Sequence, residues 1–575
     1  MATPRPKNPL PLRTWLGECR GRSLQDDLLA GFVATVLLVP QGMALAMLAG
    51  LPPILGLYAG ILPPLLYALL GTSRTLSVGP VAVTALLVAN ALGAQGHAPG
   101  GEEWIAAAIT LSFLCAVLLL VMGALRLGEL SNFLSHPVLS GFVSGAVVII
   151  ILSQLPHLTG IELPRGEPLH SQALALVSGM RELDLLIVGI GGVCLLLLML
   201  ARAQLVRGLL ALGLKSRPAQ MLSRGAPLLV VLAATAASAA LELSAHGLPV
   251  VGEVRGGLPQ PQLAFLDADQ WRTLLPAALI ISVVGYVESV SVAKALAWRR
   301  RQRIDPNREL LALGIANAGA AVSGTLPVAG SFSRSTVNFD AGARTPLAGV
   351  VTALLVAIAA ALLMPLFRHL PLAALAAVIV VAVVPLFDLT TLRHTWEYDR
   401  ADTAALLVTF LGVVLVDIEL GLLAGLLVSL GIFIWRTGHP HMAVVGRMPG
   451  TAHYRNIDRF YVETWPDLLL LRVDESLYFA NTAVLEQFIA SNVSERSDLR
   501  HVVLICSAVN GIDHSAVETL KDLADNLGRT GVTLHLAEVK GPVMDRLRRS
   551  GLLEALGDGH VFMSTEEAVQ TLRRR

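Results

Sequence analysis

The chain has 575 residues, of which 54% are hydrophobic and only 15% charged, with a formal net charge of +1 and a mean hydropathy of +0.66. That balance is too apolar for a water-soluble chain of average composition, and a near-neutral total does not point to nucleic acid or another polyanion. Cys19, Cys115, Cys194 and Cys506 are scattered with no CxxC pair, so neither a disulfide framework nor a zinc site is implied.

Residues 1–28 are polar and proline-rich. They lack the short apolar stretch and small-residue site of a cleaved signal peptide, and read as a cytoplasmic leader. Membrane segments follow at 29–49, 54–70, 79–93, 105–124, 138–155, 183–201, 226–244, 274–294, 309–323, 331–341, 346–366, 372–386, 401–416 and 418–436, fourteen in all. Leu183–Leu200, Pro227–Ala240 and Leu347–Met364 carry no charge except Asp184, near the start of the first. Apolar blocks of about 18–20 residues match a hydrocarbon layer about 30 Å thick. Segments 79–93 and 331–341 are too short to span as helices. Each begins at a break, in Ser77-Val78-Gly79-Pro80 and in Pro327-Val328-Ala329-Gly330. Divided seven plus seven, the chain has both short segments third in their half. Paired, interrupted segments at corresponding positions point to a transport site built on inverted repeats; two ordinary kinked helices are the plainer alternative.

Loop charges set an expected orientation. With the N-terminus inside, the inner loops hold Arg202, Arg207, Lys215, Arg217 and Arg224, then Lys294, Arg299, Arg300, Arg301, Arg303 and Arg308, then Arg393 and Arg400. The outer loops 95–104 and 245–272 are poorer in Lys and Arg. Both termini are therefore expected in the cytoplasm, and the Arg299–Arg303 run reads as a topology signal. Asp417 and Glu419 fall at an outer turn and read as solvated.

After Arg436 the pattern changes. Residues 437–460 read as a polar linker, with Gly438, Pro440, Pro449 and Gly450. His439 and His441 lie there, too few for a metal site. In 461–575, Leu468–Val473, Val502–Cys506 and Thr533–Val539 read as buried strands. Val517, Leu520, Leu523, Ala524 and Leu527 recur at helical spacing between the second and third. This is an α/β domain of ordinary size.

Several motifs carry a family resemblance. Leu38-Val39-Pro40-Gln41-Gly42, then Pro53-Ile54-Leu55-Gly56-Leu57-Tyr58, Pro63-Pro64, Tyr67 and Gly71-Thr72-Ser73-Arg74, and finally Gly330-Ser331-Phe332-Ser333-Arg334-Ser335, resemble in order the signatures of the SulP (sulfate permease) anion transporters. The C-terminal domain resembles a STAS domain. The resemblance covers residues 20–575. It implies a uracil-permease-like 7+7 inverted repeat with core and gate domains, a polytopic α-helical protein at 29–436 with a soluble α/β STAS domain, and a homodimer; the compact loops and short leader place it, as an expectation, in the cell inner membrane. It also implies an anion site that includes Gln41, Leu45, Val81, Ala82, Ser333 and Arg334.

The residues support that site on their own terms. Two half-helices meeting end to end bring two N-termini together, each carrying about half a positive charge and free N–H donors. Those ends fall near Gly79–Ala82 and at Ser331, Phe332 and Ser333. Ser331 and Ser333 can cap the helix or donate to the anion. Arg334 is an intramembrane charge just after the break; it can hold the anion, or snorkel or pair with Asp340. Glu288, in Ile280-Ile281-Ser282-Val283-Val284-Gly285-Tyr286-Val287-Glu288, can take a proton or sodium ion and so couple cation to anion, and the family position is often acidic. Its alternative is a salt bridge to Arg334. Ser289 and Ser291 could add oxygen ligands to sodium. Gln41 can donate to the anion or to broken backbone. Asn317 and Asn338 read as packing residues.

Cys506-Ser507-Ala508-Val509-Asn510-Gly511-Ile512-Asp513-His514-Ser515 resembles the STAS strand–loop–helix region. Ser515 aligns there with a serine that is phosphorylated in related regulators, although Cys506 and His514 depart from the pattern. A helix cap at Asp513 or Ser515 is the simpler reading.

The function expected is secondary active transport of an inorganic anion, sulfate first and bicarbonate next, by proton- or sodium-coupled symport with an elevator-like motion. Chloride/bicarbonate exchange, dicarboxylate symport, and an anion-sensing receptor signalling through STAS are the alternatives. No Walker sequence, zinc constellation or nucleophile elbow supports an enzyme, and no cofactor is implied.

Overall fold

A computed structural model of the chain describes residues 11–574 except 97, 133–134, 162–168, 214–218, 220–222, 224, 254–255 and 558. Lys215, Arg217 and Arg224, and the first ten residues of the leader, lie outside the described residues. The chain divides into two compact units, one running to Ser429 and the other from Leu430 to Arg575.

The first unit is helical. Among the described residues, nine helices are long and apolar enough to cross a membrane, and Ala82–Gly93 and Ala226–Ala240 are shorter apolar helices. All fourteen expected segments contain helix. The second is two pieces, Pro53–Tyr58 and Leu62–Leu70, the latter started by Pro63 and Pro64. Proline is tolerated in a first helical turn, because the N–H it lacks would be unpaired there. The Leu185–Leu200 helix runs on through a π-turn to Ala211, and Leu347–Ile358 continues in the same manner to Phe367.

The closest helix packing falls in two groups. Pro306–Val322 packs on Glu102–Ala124 and Leu62–Leu70, and Leu347–Ile358 on Arg22–Leu48. In the second, Arg400–Leu415 packs on His136–Thr159, and Leu372–Val383 on Leu185–Leu200 and, less extensively, on Arg22–Leu48. Glycines permit some of the close approaches. A Cβ on Gly56 would lie 1.9 Å from the Gly42 carbonyl oxygen, so the two helices touch there by backbone.

The two short segments are half-helices, Ala82–Gly93 and Phe332–Ala341. Pro80 and Pro327 interrupt helical hydrogen bonding just upstream of them. In an apolar unit the freed backbone groups need partners. They find them in each other: β1 (Val78–Gly79) pairs antiparallel with β2 (Ala329–Gly330), with Val78 opposite Gly330 and Gly79 opposite Ala329. The Ser331 N–H donates to the Ser77 carbonyl at 3.0 Å. The Gly330 N–H donates to Ser289 Oγ at 2.7 Å, and the Val328 N–H to Asn317 Oδ1 at 2.9 Å. Asn317 returns an amide proton to the Val328 carbonyl at 3.0 Å. It is a side-chain clamp for unwound backbone.

The second unit is a six-stranded sheet in the order β4-β3-β5-β6-β7-β8. It comprises β3 (Met442–Arg447), β4 (Tyr454–Asn456), β5 (Leu468–Val473), β6 (His501–Ile505), β7 (Thr533–Ala537) and β8 (Val561–Phe562). Strands β5 to β8 are parallel, while β3 runs antiparallel to both neighbours. Both faces of β5 are covered, so its sequence is continuously apolar rather than alternating. Leu469, Leu471 and Val473 join a core with Val517, Leu520, Leu523 and Leu527 of the His514–Arg529 helix; Leu468 and Leu470 face Val569 and Leu572 of the Thr565–Arg574 helix. Each buried aliphatic side chain is worth about 1.5–3 kcal/mol. The segment expected as a linker supplies β3 and β4. The run Met442–Val445 is short and lies between prolines, which hides a strand from a periodicity reading.

Candidate functional site

The paired breaks place the two half-helix N-termini beside one another. Val81 occupies the N-cap of the first half-helix in extended conformation, without a side-chain cap. Ser331 occupies the N-cap of the second; its Oγ accepts from the Arg334 N–H at 3.5 Å and lies 3.4 Å from Ser333 Oγ. Val81, Ala82 and Ser331 are buried, whereas Ser333 is exposed and Phe332 is 51% exposed. Small or outward-turned side chains leave backbone N–H groups approachable at both ends.

Arg334 is the central charge. It is 1% exposed, the largest fully buried side chain among the described residues. Nη1 donates to Gln41 Oε1 at 3.3 Å, while Nε and Nη2 have no hydrogen-bond partner among the described residues. A Cβ on Gly79 would lie 3.2 Å from Nη2, so the guanidinium sits over the β1–β2 crossing and only glycine accommodates it without a shift. Leaving buried donors unpaired costs about 1–3 kcal/mol each, more when charged. Such a cost is retained where the donors have a function.

Gln41 is half-buried on the Arg22–Leu48 helix, one turn before buried Leu45 and just after Pro40. Its amide oxygen faces Arg334, which leaves its NH2 group as a further donor. Glu288 is half-buried on the Trp271–Arg299 helix and interacts with Arg334 as a charge. No hydrogen bond joins the two, since the guanidinium's one acceptor among the described residues is Gln41. The neighbouring Ser289 is committed to backbone: it accepts from Gly330 and donates to the Gly285 carbonyl at 2.5 Å. Gln41, Arg334, Ser331 and Ser333 thus lie together, with Glu288 facing the arginine. No cluster of three or more potential metal ligands occurs among the described residues.

Several expectations change in detail. Asp417 is not merely solvated: Oδ2 accepts from Asn90 Nδ2 at 3.2 Å and Oδ1 from the Glu419 N–H at 2.8 Å. His441 Nδ1 contacts Asp474 Oδ2 at 2.9 Å. Asp513 caps the His514–Arg529 helix, accepting from the Ala516 N–H at 2.9 Å, and leaves Ser515 exposed on the first turn. Cys506 is buried, which pushes its thiol up to about 12 and makes it a poor nucleophile at neutral pH. Two acids escaped the sequence reading, Asp27 and Glu309; each looks like an ordinary carboxylate near a helix start, but both are fully buried.

Comparison with known proteins bears on this arrangement. The sulfate permease family model matches residues 24–409, and the STAS domain model matches residues 459–568. The chain is 35% identical over 557 residues to the chloroplastic sulfate transporter 4.1 of Arabidopsis thaliana, covering 95% of this chain and 79% of that protein. It is 33% identical over 562 residues to a probable sulfate transporter of Mycobacterium tuberculosis, covering 97% of each. Its fold matches the murine Solute Carrier 26 family member A9 anion transporter in the inward-facing state with a TM-score of 0.87 at 24% identity, over 98% of this chain and 94% of the other. The transmembrane domain of a cyanobacterium bicarbonate transporter matches with a TM-score of 0.58 at 22% identity, over 72% of this chain and 98% of that domain.

Proposed function

The chain belongs to the sulfate permease family, and on that premise we propose that it moves sulfate by cation-coupled symport through the site built on Arg334 and the two half-helices. It is a multi-pass membrane anion transporter, not an enzyme. The observation that carries the proposal is the buried guanidinium with two unpartnered donors, Nε and Nη2, above the crossing. An oxyanion has the acceptors to satisfy them, and Ser331, Ser333 and the half-helix N-termini add donors of the same polarity. Full hydration of sulfate is costly to remove, so a site of many weak donors suits passage better than one strong pair.

Glu288 supplies the coupling. A proton or sodium ion on its carboxylate neutralises a negative charge that faces Arg334, and the anion then loads against a lower electrostatic barrier. The anion site lies in the first helix group; the second group, around His136–Thr159 and Leu372–Val383, is the scaffold against which it travels. Bicarbonate is the second substrate in order. Chloride/bicarbonate exchange is disfavoured by Glu288, because an obligate exchanger needs no titratable group. Both termini are assigned to the cytoplasm of an inner-membrane homodimer, with a transport domain to 436 whose first long helix already starts at Arg22, and a STAS domain at 461–575 to whose sheet residues 437–460 add β3 and β4.

The test is uptake of radiolabelled sulfate into proteoliposomes under an inward proton gradient, an inward sodium gradient, or neither. Accumulation that requires one gradient supports the proposal and identifies the ion. No sulfate uptake, with transport of bicarbonate or fumarate instead, would keep the site and replace the substrate.

A further inference from the structure

Asp27 and Glu309 make the same arrangement twice. Asp27, on the Arg22–Leu48 helix, accepts from the consecutive backbone N–H groups of Arg344 and Thr345 at 2.6 and 3.1 Å, and from Thr345 Oγ1 at 2.7 Å. Glu309, in the first turn of Pro306–Val322, accepts from the consecutive N–H groups of Thr72 and Ser73 at 2.7 and 3.1 Å, from Thr72 Oγ1 at 2.5 Å and from Tyr67 OH at 2.7 Å. The exchange is reciprocal. Asp27 belongs to the first half of the membrane unit and grips the loop that leaves the second half-helix. Glu309 belongs to the second half and grips the loop that leads into the first half-helix.

A carboxylate taken wholly out of water is retained only where charge-assisted hydrogen bonds compensate its desolvation. Here all the donors but Tyr67 come from the two loops, so each charge fixes its loop, beside the Arg344–Asp26 ion pair and the Arg300 bond to the Ala343 carbonyl at one and the Arg74–Glu18 ion pair at the other. From the loops inward the contacts are continuous: the Leu76 N–H donates to Ser73 Oγ at 3.2 Å and the Ala343 N–H to the Asn338 carbonyl at 3.0 Å. Asn338 Nδ2 donates to the Thr75 carbonyl at 3.1 Å, the Ser77 N–H to Ser335 Oγ at 2.8 Å, and the Ser331 N–H to the Ser77 carbonyl at 3.0 Å. A loop displaced at Thr72 or Thr345 therefore displaces a half-helix N-terminus.

We infer that Asp27 and Glu309 are positioning residues, two reciprocal clasps that set the spacing of the half-helix N-termini and hence the grip on the anion. The inference rests on the transport reading of that site. A purely stabilising pair would change how much protein is folded, and so the maximal rate. A positioning pair changes the KM of the protein that is folded.

The experiment uses the full chain in proteoliposomes and measures KM and maximal rate for sulfate, with the thermal midpoint in detergent beside them. Asp27→Asn and Glu309→Gln remove each charge. Thr345→Val and Thr72→Val are milder: each keeps both N–H donors and deletes the hydroxyl donor, together with the acceptor it offers the Leu347 or Asp305 N–H. The expected result is a KM about tenfold higher in each charge variant, equivalent to about 1.4 kcal/mol, and about threefold higher in each threonine variant. Wild-type KM in the threonine variants, and in whichever charge variants fold, would overturn the clasps. If the wild type binds sulfate without moving it, the transport reading fails. The same ratios, read as Kd from a sulfate titration, then decide the clasps separately.

Discussion

Arg334 shows how one side chain ties fold to function. Its burial alone argues against a snorkelling charge, and its single bond to Gln41 leaves Nε and Nη2 unpartnered among the described residues, Nη2 beside the crossing at Gly79. Replacing it with alanine removes those donors together with the local positive potential. Arg334→Ala is expected to raise KM for sulfate by tenfold or more, a loss of at least about 1.4 kcal/mol of binding, with little loss of thermal stability because unpaired buried donors already destabilise the fold. Uptake kinetics and a thermal melt on the same preparation check this; a melting temperature that falls while KM stays put would make Arg334 structural. The arginine was legible in the sequence, since an intramembrane charge after a helix break is conspicuous. Asp27 and Glu309 were not, because an acid near a helix start is the commonest place for a solvated carboxylate. Only tertiary contacts distinguish a cap from a clasp.

Among the elements, the half-helices were readable from their length and their Gly/Pro breaks, and their pairing through β1 and β2 was not. Two residues per strand carry no periodicity, and antiparallel pairing across some 250 positions is a property of the fold. The strands β3 and β4 were missed for a related reason, being too short to outweigh the prolines and glycines around them. The contact between β4 and the Thr565–Arg574 helix makes its own prediction. Tyr454 OH donates to Glu566 Oε2 at 2.5 Å, and that hydrogen bond, with Gln570 and Arg447, holds the Glu566 carboxyl below the usual carboxylate range. A depressed carboxylate stabilises the fold above its unfolded pKa and loses that contribution as pH falls through its folded pKa. Hydrogen-exchange protection of the Thr565–Arg574 helix should therefore be lower in Glu566→Gln than in wild type at pH 7. The difference should disappear once the pH falls below the carboxylate range. A difference that is absent at pH 7, or that grows on acidification, would contradict the assignment.

For the whole molecule, the balance of apolar blocks and loop charges gave a polytopic membrane protein with an appended α/β domain, and the fold and family comparisons agree. What composition cannot supply is which helices move together. The helices that carry Gln41, Glu288, Arg334 and both clasps pack on one another, while Leu372–Val383 reaches from its own group onto Arg22–Leu48; in the proposed elevator-like motion the proposed anion site, coupling acid and positioning residues would travel together. Glu288 acts on Arg334 as a charge, with no hydrogen bond between them among the described residues. Coupling is therefore separable from passage. The direct measurement is gradient-driven sulfate accumulation and sulfate–sulfate exchange by wild type and Glu288→Gln in the same proteoliposomes. The variant is expected to lose accumulation and retain exchange; accumulation by Glu288→Gln equal to that of wild type would contradict the coupling role of Glu288.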